Sequence, residues 1–223
     1  MKTKREIERV FLVRDPENFR NLLEGRPFQN MTTAYLDKLV HYTDINLYTR
    51  DIRIRNVDGI CTFEEKSAAG GARGIISDRR EKVASIGKDK FTALLAKTTA
   101  RYENKRYYIN LEDGVTAQLD VYGGAHEGMT KIDVEFENRI DAANFVPPVW
   151  FGEDITGVNF FRVLDAVKDM KKQGLDKTEG LDAVIKKAVA LVREIHRQQE
   201  EKGIGTATQV VPRKKCKLII NQD

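Results

Sequence analysis

Residues 51–67, DIRIRNVDGICTFEEKS, contain the clearest folding signal in the chain. Two runs of strand-forming residues flank the dipeptide Asp58-Gly59, which favours the positive φ angles that a tight hairpin turn requires. The stretch is therefore predicted to form an antiparallel hairpin between residues 45–57 and 60–67.

Ionisable side chains recur at every second position in several predicted strands. This spacing places them on one face of a strand, because successive side chains point to opposite faces. In two of these strands the other face is apolar, with Ile52 and Ile54 in one and Ile132, Val134 and Phe136 in the other. The five charged sets are Glu6 with Glu8, Arg53 with Arg55, Glu64 with Lys66, Arg79 with Glu81, and Asp133 with Glu135.

The mixture of signs in these sets is more informative than any one of them. In an ordinary half-exposed sheet the alternation means only that polar residues face water. Carboxylates and guanidinium groups together, however, are the set that holds divalent cations and phosphates. If the strands closed into a barrel, the charged faces would meet inside it, and the apolar outer faces would need a cover of helices.

The remaining elements fit that architecture. A second Asp-Gly pair, Asp113-Gly114, separates two further strand candidates. The predicted fold is α+β, a closed antiparallel β-barrel with helices packed outside. Further strands are predicted at residues 6–13, 75–86, 98–110, 115–122 and 129–138, and helices at residues 16–25, 89–97, 157–172 and 181–202. The domain organisation predicted is a barrel domain at 1–165, helices packed on it at 166–202, and a basic, mobile tail at 203–223.

Composition narrows the class of protein. The 223 residues suffice for one good core, and the 38 Lys and Arg nearly balance the 34 Asp and Glu, which argues against a general nucleic-acid binder. The sequence lacks an apolar run of membrane-spanning length and a secretory leader, so a cytoplasmic protein without membrane contact is expected. Cys61 and Cys216 have no partner at metal-ligand spacing and are expected to be free thiols. Monomer and homodimer both stay open.

Six segments, in order, resemble the motifs of the CYTH family, the triphosphate tunnel metalloenzymes. EIERVFLV at residues 6–13 resembles the family's opening ExExK strand, and IRIR at 52–55 its paired-arginine strand. The remaining four are similar to the strand of the phosphate-binding lysine, the late-aspartate segment, the ExE strand and the WxGxEVT motif. They are TFEEKS at 62–67, QLDVYGG at 118–124, IDVEFEN at 132–138 and VWFGEDIT at 149–156.

The resemblance implies a closed eight-stranded tunnel that binds a small-molecule triphosphate or polyphosphate with Mg²⁺ or Mn²⁺. Family members hydrolyse inorganic triphosphate, thiamine triphosphate or nucleoside triphosphates, or cyclise ATP. Carried over to this sequence, the metal ligands would be Glu6, Glu8, Glu81, Asp120, Asp133 and Glu135. The phosphate-binding residues would be Arg53, Arg55, Lys66, Arg79 and Arg101, with Glu6, Glu8 and Lys66 closest to catalysis.

Two positions depart from the family pattern. Val10 stands where the ExExK strand has its lysine, and Thr99 stands where a KxR pattern ending at Arg101 has another. A lysine from the C-terminal helices, Lys168, Lys171 or Lys172, is a candidate substitute. The favoured function is metal-dependent hydrolysis of a triphosphate. The alternative is a non-catalytic module that binds triphosphate or another polyanion. Adenylate cyclase activity is disfavoured, because the related bacterial cyclases resemble one another in a His-Phe pair just before the ExExK strand and no such pair precedes Glu6.

Several residues are expected to have purely structural roles. Glu64, Arg106 and Lys131 are expected on the solvent-facing side of their strands. Tyr35 and Trp150 are interpreted as core or barrel-rim aromatics rather than ligand contacts.

Overall fold

The computed structural model describes residues 2–36, 50–68, 76–98, 100–112 and 114–201. Its strands form one antiparallel sheet. The strands are β1 (Lys2–Val13), β2 (Gln29–Tyr35), β3 (Arg50–Val57), β4 (Ile60–Ala68), β5 (Ser77–Ser85), β6 (Arg101–Asn110), β7 (Thr116–Tyr122), β8 (Thr130–Phe136) and β9 (Phe151–Asp154). The helices are α1 (Pro16–Leu22), α2 (Lys88–Leu95), α3 (Arg139–Asn144), α4 (Phe160–Lys172), α5 (Leu175–Glu179) and α6 (Leu181–Glu201).

Eight of these strands close into a barrel. The order is β5-β4-β3-β2-β6-β7-β8-β1, and β1 pairs with β5 to join the two ends. The closing ladder runs from Lys2 opposite Val83 to Glu8 opposite Ser77. Beyond it, β9 pairs with the end of β1 that β5 leaves free. The predicted closed eight-stranded antiparallel barrel with helices outside is confirmed.

The Asp58-Gly59 hairpin is also confirmed. Asp58 has φ of 46° and Gly59 has φ of 92°, and Val57 pairs with Ile60 across the turn. Positive φ at both central residues is the geometry whose twist matches the flanking strands. The second predicted hairpin joins β6 and β7, with Gly114 at φ of 81°, whereas Asp113 lies outside the described residues.

The outer surface of the barrel carries an apolar cluster on one side. Phe11, Leu119 and Ile132 point outward from their strands and pack with Phe145 and Phe151 in one buried cluster. The chain between β8 and α4, which includes α3 and β9, thus covers this wall. Neither α3 nor β9 was predicted, and nor was α5, because short elements have too few residues for a periodic pattern.

Helices α4 and α6 cover one end of the barrel. Val10, Tyr102 and Tyr122 belong to the same buried cluster as Phe160 of α4 and Val184 of α6. The predicted limit between residues 165 and 166 falls inside α4. No helix in the described ranges has both the length and the apolar composition to cross a membrane. The predicted tail, at residues 203–223, lies outside the described residues, as do Thr99 and Cys216.

A tight backbone contact at Gly152 supports the pairing of β9 with β1. A Cβ at this position would lie 3.1 Å from Leu12 O and 3.2 Å from Arg14 N, both of which are backbone atoms. We expect Gly152→Ala to lower the free energy of unfolding by about 1–3 kcal/mol, since β9 must move away from β1. Gly123→Ala is the control, because its Cβ would meet nothing within 4 Å. Equal denaturation midpoints for both variants would contradict this close packing.

Candidate functional site in the barrel interior

The inner wall of the barrel is lined by buried ionisable residues from six strands. Alternate residues of each strand point inward, so every one of the five charged sets predicted from the sequence contributes at least one buried side chain to the interior. The eight most enclosed are between 2% and 7% exposed, a range that charged side chains reach only when they are paired. They are Glu6, Glu8, Arg53, Glu64, Lys66, Glu81, Asp120 and Asp133.

Glu6 and Glu8 of β1 form a carboxylate pair held by two cations. Lys66 Nζ lies 2.5 and 2.7 Å from the two oxygens of Glu6. Arg79 Nη2 lies 3.6 Å from Glu6 Oε2 and also donates to Glu8 Oε1. The guanidinium of Arg79 therefore stands between the two carboxylates, where a metal cation would also be attracted.

The two members of this pair have opposite pKa shifts. Burial and the neighbouring charge of Glu8 raise the pKa of Glu6, although Lys66 and Arg79 oppose them. Burial also favours a higher pKa for Glu8, but the cations Arg79, Lys66 and Lys131 outweigh it and hold that pKa far below its usual range. Glu8 is thus a fixed anion, whereas Glu6 holds its proton more readily.

Arg53 and Arg55 both point into the interior, as predicted, and share Glu64. Arg53 Nε lies 2.6 Å and Arg55 Nη1 3.4 Å from Glu64 Oε2. Burial, followed by the like charge of Arg53 and with a contribution from Arg106, lowers the pKa of Arg55. Arg55 Nε is buried and has no hydrogen-bond partner within the described residues. Arg55 therefore has a buried hydrogen-bond donor that is still available to a ligand.

Asp120 of β7 and Asp133 of β8 form a second carboxylate pair. Arg106 binds Asp120 with two hydrogen bonds of 2.7 Å and lies 3.3 Å from Asp133 Oδ2. Lys131 Nζ lies 2.7 Å from Asp133 and 3.7 Å from Asp120. The expectation that Glu64, Arg106 and Lys131 face solvent is wrong, since all three side chains point inward and are at most 12% exposed.

Arg101 lies outside this group. Its side chain is 52% exposed and bonds Glu103, which also points outward from β6. The inward residues of that strand are Tyr102, Asn104 and Arg106, and Asn104 Nδ2 donates to Asp120 Oδ1 at 2.9 Å. The arginine that β6 brings to the interior is therefore Arg106 rather than Arg101.

Lys4 and Glu135 mark the edge of the charged interior. Glu135 is 40% exposed on its side chain, and Lys4 Nζ lies 3.4 Å from it and 3.3 Å from Glu81. Sequence reasoning missed Lys4, although its two-residue spacing from Glu6 places it on the same face. On the C-terminal helices, Lys171 bonds Glu127 O and Lys172 pairs with Asp169, both at the surface.

The predicted aromatic roles agree with the packing. Tyr35 packs with Tyr102 and Phe161 at the helix-covered end, and its hydroxyl accepts a 3.5 Å hydrogen bond from Arg53. Trp150 stacks on Phe19 at the outer wall, with ring centroids 4.5 Å apart. Trp150 thus belongs to the outer wall of the barrel, whereas Tyr35 lines the end of the interior.

The interior carboxylates offer a divalent metal ion a pair of ligands at a time. Within the described ranges, no three His, Cys, Asp or Glu side chains form a ready metal-binding group. Mg²⁺ is commonly held by one or two carboxylates together with substrate phosphates, so a larger protein cluster is not required. The Glu6–Glu8 pair, with a cation already between its members, fits such an ion.

Comparisons with known proteins found a partial sequence relative and several solved structures. No protein-family model matches the chain. An inorganic triphosphatase of Nitrosomonas europaea is 37% identical over 79 residues, which are 35% of this chain and 52% of that protein, so the match spans about half of the relative's length. Two crystal structures of one inorganic triphosphatase are 29% and 30% identical to the chain, cover 68% of it and 86% and 89% of those chains, and have a TM-score of 0.46. A Hippeastrum protein described as an adenylyl cyclase with a dominant triphosphatase activity is 16% identical, with 62% and 82% coverage and a TM-score of 0.47.

A closed eight-stranded antiparallel barrel with acids and bases paired along its inner wall defines a tunnel protein. With its sequence relationship to an inorganic triphosphatase over 35% of its length, the chain is similar to the CYTH, or triphosphate tunnel, family.

The pairing of Glu64 with two arginines makes stability depend on pH. Burial opposes ionisation, but Arg53 and Arg55 lower the pKa of Glu64 from 4.5 to about 2. The folded state then binds this proton more weakly than the unfolded chain. The corresponding stability, roughly 3 kcal/mol, is present above pH 4.5 and is lost as the pH falls towards 2.

We expect Glu64→Gln to be less stable than the wild type at pH 7, with the difference shrinking as the pH falls below 4.5. Urea unfolding at a series of pH values measures it. Glu103→Gln, on the exposed outer face, is the control and should change stability little. A difference that stays constant down to pH 2.5 would show that the ion pair is not formed.

Proposed function

We propose that the chain hydrolyses a small triphosphate compound, either inorganic triphosphate or a nucleoside triphosphate, inside its barrel. The observation that carries this proposal is the buried, incompletely bonded guanidinium of Arg55, next to Arg53 and under the influence of Arg106. Three cations gathered in a low-dielectric interior attract an anion of several charges. A sequence relative named inorganic triphosphatase supports the choice of a triphosphate.

The charge balance of the inner wall favours a metal ion as a companion of the triphosphate. Among the described residues, the inner wall carries as many acids as bases. The acids are Glu6, Glu8, Glu64, Glu81, Asp120, Asp133 and Glu135, and the bases are Lys4, Arg53, Arg55, Lys66, Arg79, Arg106 and Lys131. Because these charges cancel, a triphosphate would enter with most of its charge uncompensated. Mg²⁺ or Mn²⁺ entering with it would supply the missing positive charge.

The carboxylates that we propose as metal ligands are Glu6 and Glu8, with the other interior acids as further candidates. Those candidates are Glu81, Asp120, Asp133 and Glu135. A bound divalent ion would neutralise phosphate charge and lower the pKa of a bound water. The low pKa of Glu8 keeps this carboxylate ionised and available as a ligand over the physiological pH range.

Phosphoryl transfer requires alignment and charge neutralisation more than covalent participation of the protein. Lys66 and Arg79 bond Glu6 and Glu8 when the interior contains only protein. Phosphate oxygens compete for the same donors, so we infer that these two cations exchange a carboxylate for a phosphate when substrate binds. Arg53 and Arg55, on the neighbouring strand β3, would hold the phosphates from a second side and fix the chain of phosphorus atoms for attack by water.

A second candidate function is triphosphate or polyanion binding without turnover. It is favoured by Val10, which lies on the inner face of β1 beyond Glu8 and packs with Tyr122 and Phe160. Because Arg106 is the inward arginine of β6, the lysine position of the KxR pattern falls at Asn104, which is also neutral and also on the inner face. The interior thus has fewer cations than the family pattern provides, and transition-state neutralisation is the property that such losses weaken most.

The hydrolase and the binding module differ in one measurement. With Mg²⁺ or Mn²⁺, we expect the wild type to release phosphate from inorganic triphosphate, and Glu8→Gln to lower the rate by about 100-fold or more, because a fixed anion is lost. Glu65→Gln, on the outer face of β4, is the matched control. Tight calorimetric binding without phosphate release would favour the binding module, and cyclic AMP formed from ATP would favour a cyclase.

Equal rates in the wild type and Glu8→Gln would rule out this site. The same comparison applies to Glu135→Gln, for which we expect a clear loss of phosphate release even though this carboxylate lies at the exposed edge.

Arg55 and Arg101 provide a paired test of which arginines bind phosphate. We expect Arg55→Gln to weaken triphosphate binding by about 10-fold or more, since a charged hydrogen-bond donor is removed. Because Arg55 is buried against like charges, the same change should leave the melting temperature unchanged or higher. Arg101→Gln should alter neither quantity. Weaker binding in Arg101→Gln alone would reverse the assignment of the two residues.

A further inference from the structure

Lys131 lies on the inner wall, although it is expected from the sequence to face solvent. Val10 of β1 pairs with Asp133 of β8, so Lys131, two residues from Asp133, is a diagonal neighbour of Val10 on the same inner face. Its side chain is 12% exposed. The interior position that Val10 leaves without charge is therefore next to a lysine from the adjacent strand.

This lysine also lies close to the second neutral position. Lys131 pairs in register with Asp120, and Asp120 accepts a hydrogen bond from Asn104 of β6. Lys131 thus lies on the part of the wall between two inward residues, Val10 and Asn104, that carry no charge. On the opposite part of the barrel, β3, β4 and β5 contribute Arg53, Arg55, Lys66 and Arg79.

We propose that Lys131 binds the triphosphate directly and supplies, from β8, the positive charge that the inner faces of β1 and β6 lack at Val10 and Asn104. This inference rests on the proposed function and adds a specific residue to it. An anion enclosed in a barrel is held from all sides only if both parts of the wall carry donors. Lys131, together with Arg106, provides them on the β6–β8 side.

The ion pairs of Lys131 leave it able to make this contact. Asp133 is bound by Lys131 at 2.7 Å and also has Arg106 Nη2 at 3.3 Å. If Lys131 turned to a phosphate, Asp133 would keep a cationic partner and no buried carboxylate would be left uncompensated. Lys131 is also one of the three cations that hold the pKa of Glu8 down, after Arg79 and Lys66, so its charge acts on the first carboxylate pair.

The packing around Lys131 suits a long aliphatic chain with a charged end. Its Nζ lies 5.8 Å from the ring centroid of Phe160 in α4, within the range of a cation–π contact. Phe160 belongs to the cluster that covers this end of the barrel. The ammonium group of Lys131 therefore lies where the apolar cover meets the charged interior, beside Asp133 and Asp120.

The test is calorimetric titration of the full chain with inorganic triphosphate in the presence of Mg²⁺. We expect Lys131→Met, which preserves length and removes charge, to raise the Kd about 10- to 100-fold. Lys131→Arg should retain most of the affinity. Lys105→Met is the matched control on the outer face, where Lys105 packs over Phe28, and it should bind as the wild type does.

A double variant tests whether a lysine on β1 can replace the charge of Lys131 on β8. Val10→Lys in the Lys131→Met background returns a lysine to β1, and we expect it to recover at least part of the lost affinity. Thermal unfolding of each variant separates binding from folding. If Lys131 only neutralises Asp120 and Asp133, Lys131→Met will lower the melting temperature without changing the Kd. That result would overturn the proposal.

The failures of the two proposals are distinguishable. A wild type that binds no triphosphate overturns the proposed function and the role of Lys131 together. A wild type that binds triphosphate, with the same Kd in folded Lys131→Met, overturns the role of Lys131 alone.

Discussion

The pairing of β1 with β5 is the constraint on which the rest of the structure depends. This ladder, from Lys2 opposite Val83 to Glu8 opposite Ser77, joins the two ends of the sheet and turns one face of every strand inward. Moving charged side chains from water into an enclosed space costs several kcal/mol for each ion, so each needs a partner of opposite sign. The fold meets this requirement across strands, with Lys66 of β4 on Glu6 of β1 and Arg53 of β3 on Glu64 of β4.

Under the proposed function, such an interior serves the binding of an anion rather than maximum stability. Replacement of buried ion pairs by well-packed apolar residues is often neutral or stabilising, so the pairs themselves are weak evidence for stability. For the proposed binding of an anion, their value is that the donors are already fixed in place and removed from water, which would strengthen each contact to that anion. Arg55 pairs with Glu64, but its buried Nε has no hydrogen-bond partner within the described residues and is a donor that a ligand could use.

Much of the fold and part of the site could be predicted because period-two alternation is a strong signal when one face is apolar. Ile52 and Ile54 identified the outer face of β3 and so placed Arg53 and Arg55 inside. In β6 the signal fails, because both faces carry a tyrosine and charged or polar residues. The KxR comparison then selected Arg101, whereas only the register of β6 against β7 identifies Arg106 as the inward arginine.

Lys131 and Lys4 were missed for a different reason. Both lie at two-residue spacing from acids that were placed correctly, Asp133 and Glu6, so the same rule would have put them inside. A lone lysine at a strand end is usually solvated, and no local signal separates the two cases. The barrel does separate them, because its closure brings Asp120 beside Lys131 and Glu81 beside Lys4.

The position of Val10 shows why charge at this part of the wall is carried by another strand. The inner face of β1 changes from acidic at Glu6 and Glu8 to apolar at Val10, where the side chain joins Tyr122 and Phe160 under the helical cover. While Lys131 is present, an ammonium group at residue 10 would be desolvated against this cluster, and Asp133, the acid opposite it, is already paired with Lys131 and Arg106. From β8, Lys131 approaches the same volume beside Asp133, with the Phe160 ring 5.8 Å from its Nζ. The apolar cover and the cation are thus both accommodated, because adjacent strands divide the two roles between them.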